Sequence, residues 1–195
     1  EAMLDQYDPD VIGLSGMFEN CAVEYFAIAR HLKSIRPDLP IISWGVYATL
    51  SVDKVLRELT EVDFVIYNEA DQTLVQFLDA INGRDNGADL KGVATLDSNG
   101  APVATAAGMA PALDIAPDYK ALPIADYAKY GTIGAYTFLR EPGTPAATVI
   151  SRRGCRAACS FCSVRTVSGK GVRARPGQSI ADEFSTMLNA LNPGT

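Results

Sequence analysis

Between Val11 and Ile81 three short apolar runs alternate with three helical stripes, and this alternation constrains the fold more than any other feature of the sequence. Val11-Ile12-Gly13-Leu14-Ser15, Ile41-Ile42-Ser43-Trp44 and Phe64-Val65-Ile66-Tyr67 are strand-length and nearly continuous in apolar character. A helix period links Tyr25, Ile28, Leu32 and Ile35, then Val52, Val55, Leu56 and Leu59, then Leu74, Phe77, Leu78 and Ile81. Strands buried on both faces lose the polar alternation of a half-exposed sheet, and each helix supplies the crossover that a parallel neighbour needs. The pattern therefore predicts an α/β fold with a parallel sheet covered on both faces. Pro37 and Pro40 end the first helix and Asn82-Gly83 ends the third.

After Gly83 the character changes. Val93 to Leu96 and Val103 to Thr105 flank Asp97-Ser98-Asn99-Gly100, and an Asn-Gly step between β-prone runs predicts a hairpin. Residues 106–145 hold five of the eleven prolines and show no sustained period, which predicts a connector laid over the surface. Ala147-Thr148-Val149-Ile150-Ser151 reads as another buried strand, and Ile180, Phe184, Met187, Leu188 and Leu191 mark a final helix. The expected organisation is an α/β domain over 1–83, a hairpin and connector over 84–145, and the opening unit of a second α/β domain over 146–195.

Composition narrows the classes. Of 195 residues 48% are hydrophobic and 21% charged, with a net charge of -6, which excludes disordered and collagen-like chains. No apolar stretch approaches the ~20 residues that cross a bilayer, so no membrane span and a cytoplasmic location are expected. Four cysteines are too few for a disulfide-stapled fold, and three lie within eight positions, which points to metal before disulfide. The chain opens at Glu1 and stops after Pro193-Gly194-Thr195, and it reads as a fragment of a longer protein.

Those three cysteines form Cys155-Arg156-Ala157-Ala158-Cys159-Ser160-Phe161-Cys162, a C-x3-C-x2-C loop with an aromatic residue before the last thiol. Such spacing lets one loop wrap a single centre, and three thiolates can hold three irons of a cubane while the fourth keeps an open position. Gly154 permits close backbone approach, and Ser160 and the loop amides can donate to sulfide. Between Arg152 and Arg175 there are seven Lys or Arg and no acid, in a chain that is acidic overall. A structural zinc site is the plainer alternative. Zinc takes four protein ligands, however, and the nearest other candidates, Cys21 and His31, lie more than 120 residues upstream. The basic run could also serve nucleic acid, but Phe161 is its only aromatic platform, and nucleic acid is not the expected partner.

The run Ile150-Ser151-Arg152-Arg153-Gly154 followed by this cysteine loop, set between a strand and a helix, resembles the opening of the radical S-adenosylmethionine enzymes. The resemblance implies a (β/α) barrel of which this chain carries the first βα unit. It implies a [4Fe-4S] cluster on Cys155, Cys159 and Cys162, S-adenosylmethionine on the open iron, and Phe161 near the adenine. A reductant such as flavodoxin or ferredoxin and a small-molecule substrate are implied as partners. The upstream repeats resemble the flavodoxin-like (Rossmann-like) cobalamin-binding domain joined to one subgroup of these enzymes, here N-terminally truncated. Its strand-end patterns match Ser15-Gly16-Met17, Trp44-Gly45 leading to Ala48-Thr49, and Asn68-Glu69-Ala70-Asp71. Met17 stands for the usual Leu and Trp44 for the first of two glycines, while Asn68-Glu69-Ala70-Asp71 stands for Gly-Glu-Gly-Glu. Ser15, Met17, Gly45 and Thr49 become the candidate cobalamin contacts, because ligands of open α/β sheets bind at the carboxyl ends of strands.

The function that the resemblance implies is methyl transfer to an unactivated carbon through a 5′-deoxyadenosyl radical, although some relatives cyclise or rearrange their substrates. A methylthiolating or RNA-modifying enzyme with a degenerate cobalamin domain is the first rival, and a non-catalytic corrin or iron-sulfur module the second. No catalytic residue is assigned. Simpler roles are expected elsewhere: Cys21 packs as a small apolar side chain, His31 lies on a helix surface, Trp44 belongs to the core, and Glu69 and Asp71 favour a helix start.

Overall fold

The computed structural model describes residues 2–107, 114–124 and 148–191. They fall into two compact units. The first joins Glu1–Ala110 to Gly154–Gly171, and the second joins Pro111–Arg153 to Val172–Thr195.

In the first unit a short helix α1 (Ala2–Tyr7) precedes strand β1 (Ile12–Ser15), a 3-10 turn (Glu19–Cys21) and helix α2 (Ala22–Ile35). Then follow β2 (Ile41–Trp44), α3 (Val46–Leu50), α4 (Val52–Glu58), β3 (Phe64–Ile66), α5 (Ala70–Ile81), β4 (Val93–Leu96) and β5 (Pro102–Ala104). The five strands make one sheet in the order β1-β2-β3-β4-β5. β1, β2 and β3 are parallel, with Ser15 opposite Trp44, so the first two strands end flush. β4 and β5 are the predicted hairpin, and they continue the same sheet through an antiparallel β3–β4 pair.

The two faces follow the strand period. Ile12, Leu14, Ile41 and Val65 pack with Tyr25 and Ala29 of α2, Tyr47 and Ala48 of α3, and Val55 and Leu56 of α4. Ile42 and Ile66 point the other way and pack with Phe77 of α5, Phe64 and Trp44. Ser43 shares the first face and is fully buried, and its hydroxyl accepts a hydrogen bond from the Tyr25 hydroxyl. The helix expected to begin after Gly45 is two helices, because the backbone at Ser51 (φ -132°, ψ 32°) breaks α3 from α4.

The second unit is built on helix α7 (Gly177–Leu191), with a two-stranded antiparallel ribbon of β6 (Arg152–Arg153) and β7 (Arg173–Ala174). The strand expected at Ala147–Ser151 is not formed over 148–151, and the ladder is confined to β6. The reason is local. Arg175 takes the carbonyls that a neighbouring strand would need, with Nη1 donating to Ile150 O at 3.1 Å and its backbone N–H to Ser151 O at 3.0 Å. Tyr119 and Ile124, expected in a surface connector, are 4% and 3% exposed and form a core with Met187, flanked by Val149 and Ala190. Tyr119 is held there by its hydroxyl, which donates to Glu183 Oε1 at 2.6 Å while Arg175 pairs with the other carboxylate oxygen. The remainder of the 84–145 segment, at 108–113 and 125–145, lies outside the described residues. No described helix is long and apolar enough to cross a membrane.

Candidate functional site

The cysteine loop starts at Gly154, whose φ of +80° places it where an ideal Cβ would lie 2.4 Å from Gly171 O. Only glycine lets the two ends of the loop come this close. Cys155 then bridges Lys170, and the Gly171 N–H donates to Cys155 O at 3.2 Å, which closes the loop at its neck. Inside it the Cys162 N–H donates to Cys159 O at 3.2 Å, giving a tight turn around Ser160 and Phe161. A short helix that the sequence pattern did not indicate, α6 (Val164–Ser168), follows Ser163 and ends at Gly169 (φ +78°). The signal was present: a serine before and a glycine after a single helical turn.

All three thiols are free. Cys155 is half-buried, Cys159 and Cys162 are exposed, and Phe161 is 90% exposed. Among the described residues no three His, Cys, Asp or Glu side chains converge as a cage for one ion. A cubane asks for something different: soft thiolates set apart on one loop, each reaching a separate iron. Within 154–171 the charged side chains are Arg156, Arg165 and Lys170, all cationic, which suits a centre carrying net negative charge. The donor set and its setting therefore fit an iron-sulfur cluster better than a four-ligand zinc site.

The candidate corrin contacts lie at the carboxyl ends of β1 and β2 and in the helix that follows. Ser15 is exposed and Met17 is 54% exposed, so both are open to a ligand. Gly45 and Thr49 are engaged within the chain. Gly45 has φ +105°, and an ideal Cβ there would fall 2.4 Å from Gly16 O. The Gly16 N–H donates to Trp44 O at 2.8 Å and the Tyr47 N–H to Gly16 O at 3.0 Å, so the ends of β1 and β2 are knitted through Gly16. Thr49 is 8% exposed, and its Oγ1 accepts the Asn68 N–H at 3.0 Å. The Trp44 indole does not stand over these strand ends. It lies across Gly13, where a Cβ would meet Trp44 Cη2 at 2.3 Å. Among the described residues, the buried side-chain atoms Tyr47 OH and Asn68 Oδ1 have no hydrogen-bond partner.

Of the residues given simpler roles, His31 is exposed on α2. Glu69 is 5% exposed at the N-cap of α5, with Asp71 in the first turn. Cys21 is not packed. It is exposed on the 3-10 turn, because that turn presents Glu19, Asn20 and Cys21 together to solvent ahead of the buried face of α2.

No protein-family model matches the chain. It is 24% identical over 191 residues to an uncharacterized methyltransferase of Pyrococcus horikoshii, covering 95% of this chain and 38% of that protein. It is 26% identical over 196 residues to the anaerobic magnesium-protoporphyrin IX monomethyl ester cyclase of Cereibacter sphaeroides, covering 98% of this chain and 30% of the cyclase. The chain thus spans well under half the length of these relatives, 38% of the first and 30% of the second. Its fold matches the radical S-adenosylmethionine methyltransferase TsrM from Kitasatospora setae with a TM-score of 0.74 at 13% identity, over 95% of this chain and 36% of TsrM. TsrM has been solved with tryptophan and an S-adenosylmethionine analogue, and with cobalamin and a [4Fe-4S] cluster. The α/β fold of this chain is therefore one that part of the TsrM structure also adopts.

Proposed function

We propose that this chain is the cobalamin-binding and cluster-bearing part of a radical S-adenosylmethionine enzyme that transfers a methyl group to an unactivated carbon of a small molecule. The observation that carries the reading is the loop of three accessible thiols, closed at Gly154 and Gly171 and folded into the same compact unit as an α/β sheet with open strand ends. Cys155, Cys159 and Cys162 would hold three irons of a [4Fe-4S] cluster. When bound, that cluster supplies the electron that cleaves S-adenosylmethionine, and cobalamin supplies the methyl group.

The chain's own residues do the rest. The Gly154–Gly171 neck holds the two ends of the cysteine loop together. Arg156, Arg165 and Lys170 surround the loop with positive charge, which favours an anionic reductant, for which flavodoxin or ferredoxin has the right character. Phe161, unpacked by its own chain, offers an aromatic face for an adenine. Ser15 and Met17, exposed at the end of β1, would contact the corrin, and Gly45 and Thr49, engaged with Gly16 and Asn68, would hold the strand ends that receive it.

The test is electron paramagnetic resonance on the chain reconstituted anaerobically with iron and sulfide and then reduced. The expected spectrum is that of a [4Fe-4S]⁺ cluster, lost in Cys155→Ala and altered by S-adenosylmethionine. Zinc or no metal in a folded sample under the same treatment would overturn the cluster assignment. Hydroxocobalamin uptake, read by visible absorbance, tests the strand-end site separately. Its absence together with RNA binding of steep salt dependence would favour an RNA-modifying enzyme.

A further inference from the structure

We propose that Asn68 is a positioning residue, holding the cysteine loop against the strand ends by donating its side-chain amide to the first helix after the cluster cysteines. The inference rests on the reading of Cys155, Cys159 and Cys162 as cluster ligands, and it adds a residue that the spacing of the thiols does not indicate.

Three observations meet at this position. Asn68 has a φ of +68°, in the left-handed region that favours glycine. Its backbone N–H donates to Thr49 Oγ1 at 3.0 Å, which ties the turn after β3 to the buried end of α3. Its Nδ2 donates to Thr166 O at 2.8 Å, and Thr166 sits in α6, four residues after Cys162. One side chain therefore links the strand-end turn to the helix that anchors the last cluster thiol.

The choice of residue is informative because it is costly. Glycine would satisfy the backbone conformation without strain, and it would not leave a buried Oδ1 without a partner. Asparagine tolerates the left-handed region, but here its one gain over glycine is the amide donor. That donor goes to a main-chain carbonyl near the end of a single-turn helix, where carbonyls lack intrahelical partners. A helix of five residues has little stability of its own, so a tertiary hydrogen bond has a large part in fixing it.

The test uses the whole chain, metal-free and reduced, and reads the position of the loop without any cofactor. Asn68→Gly keeps the turn and removes the amide. Asn68→Asp keeps size and left-handed tolerance but sets an acceptor against the Thr166 carbonyl. In both variants the Val167 amide should exchange with deuterium, and the half-buried Cys155 thiol should alkylate, about 2- to 10-fold faster, the equivalent of one hydrogen bond. Cys21, exposed on a separate turn, is the internal reference and should alkylate at the same rate throughout. In reconstituted protein the same variants should shift the cluster's reduction potential and resonance line shape while the thermal midpoint of the Asn68→Gly chain holds. Wild-type exchange at Val167 and wild-type alkylation at Cys155 in both variants would overturn the proposal. Failure to take up iron would overturn the cluster reading instead, and it would leave the exchange and alkylation results standing.

Discussion

At Gly45 the backbone itself decides the residue. The position is left-handed, and a methyl group there would occupy the space of Gly16 O, the carbonyl that accepts the Tyr47 N–H at the start of α3. Gly45→Ala is therefore expected to cost about 2 kcal/mol or more, from left-handed strain plus displacement of that carbonyl. Denaturant unfolding followed by the fluorescence of the single tryptophan, Trp44, checks it, and a midpoint within error of wild type would count against the contact. Family resemblance alone suggests cofactor approach as the use of this glycine, and only the fold shows that its own neighbour fills the space. The three cysteines were legible as a set because their spacing is local. The bonds from Asn68 to Thr49 and Thr166 were not, because these partners lie 19 and 98 residues away.

Among the elements, those whose side chains carry a period were readable in the sequence, α2, α4, α5 and α7 and the three parallel strands, although Ile28 of α2 and Ile81 of α5, expected on the buried stripes, are 51% and 49% exposed. What escaped were α3 and α6, five residues each, too short to show a repeat, and the pairing of the hairpin with β3. The hairpin itself rests on its turn. Asp97 Oδ1 accepts the N–H of Ala101 at 2.9 Å and of Asn99 at 2.8 Å, and these two bonds hold its carboxyl below the usual carboxylate range. A lowered folded-state value means that the carboxylate's contribution is complete above the ordinary carboxylate pKa and fades as pH falls through the depressed value. Amide exchange of Asn99 and Ala101 should accordingly rise at acid pH relative to the sheet amides, and Asp97→Ala should show the faster exchange at every pH. An acid response unchanged in Asp97→Ala would assign it to another group.

At the scale of the molecule, two compact units are threaded by one chain that leaves the first and returns to it. The sequence shows where patterns change but not that 154–171 rejoins the sheet unit, since that return depends on contacts such as Asn68 with Thr166. β1 is an edge of the described sheet, and its outer backbone groups form a template for another strand. The 195-residue chain should therefore self-associate as its concentration rises, read by light scattering, and a monodisperse solution at high concentration would contradict this. The discontinuity also sets an order in time. A chain made from its N-terminus has β5 complete at Ala104 well before Cys155 leaves the ribosome. The thiols thus emerge after the five strands of the described sheet have been made, so the sheet can fold before the cysteine loop returns to it.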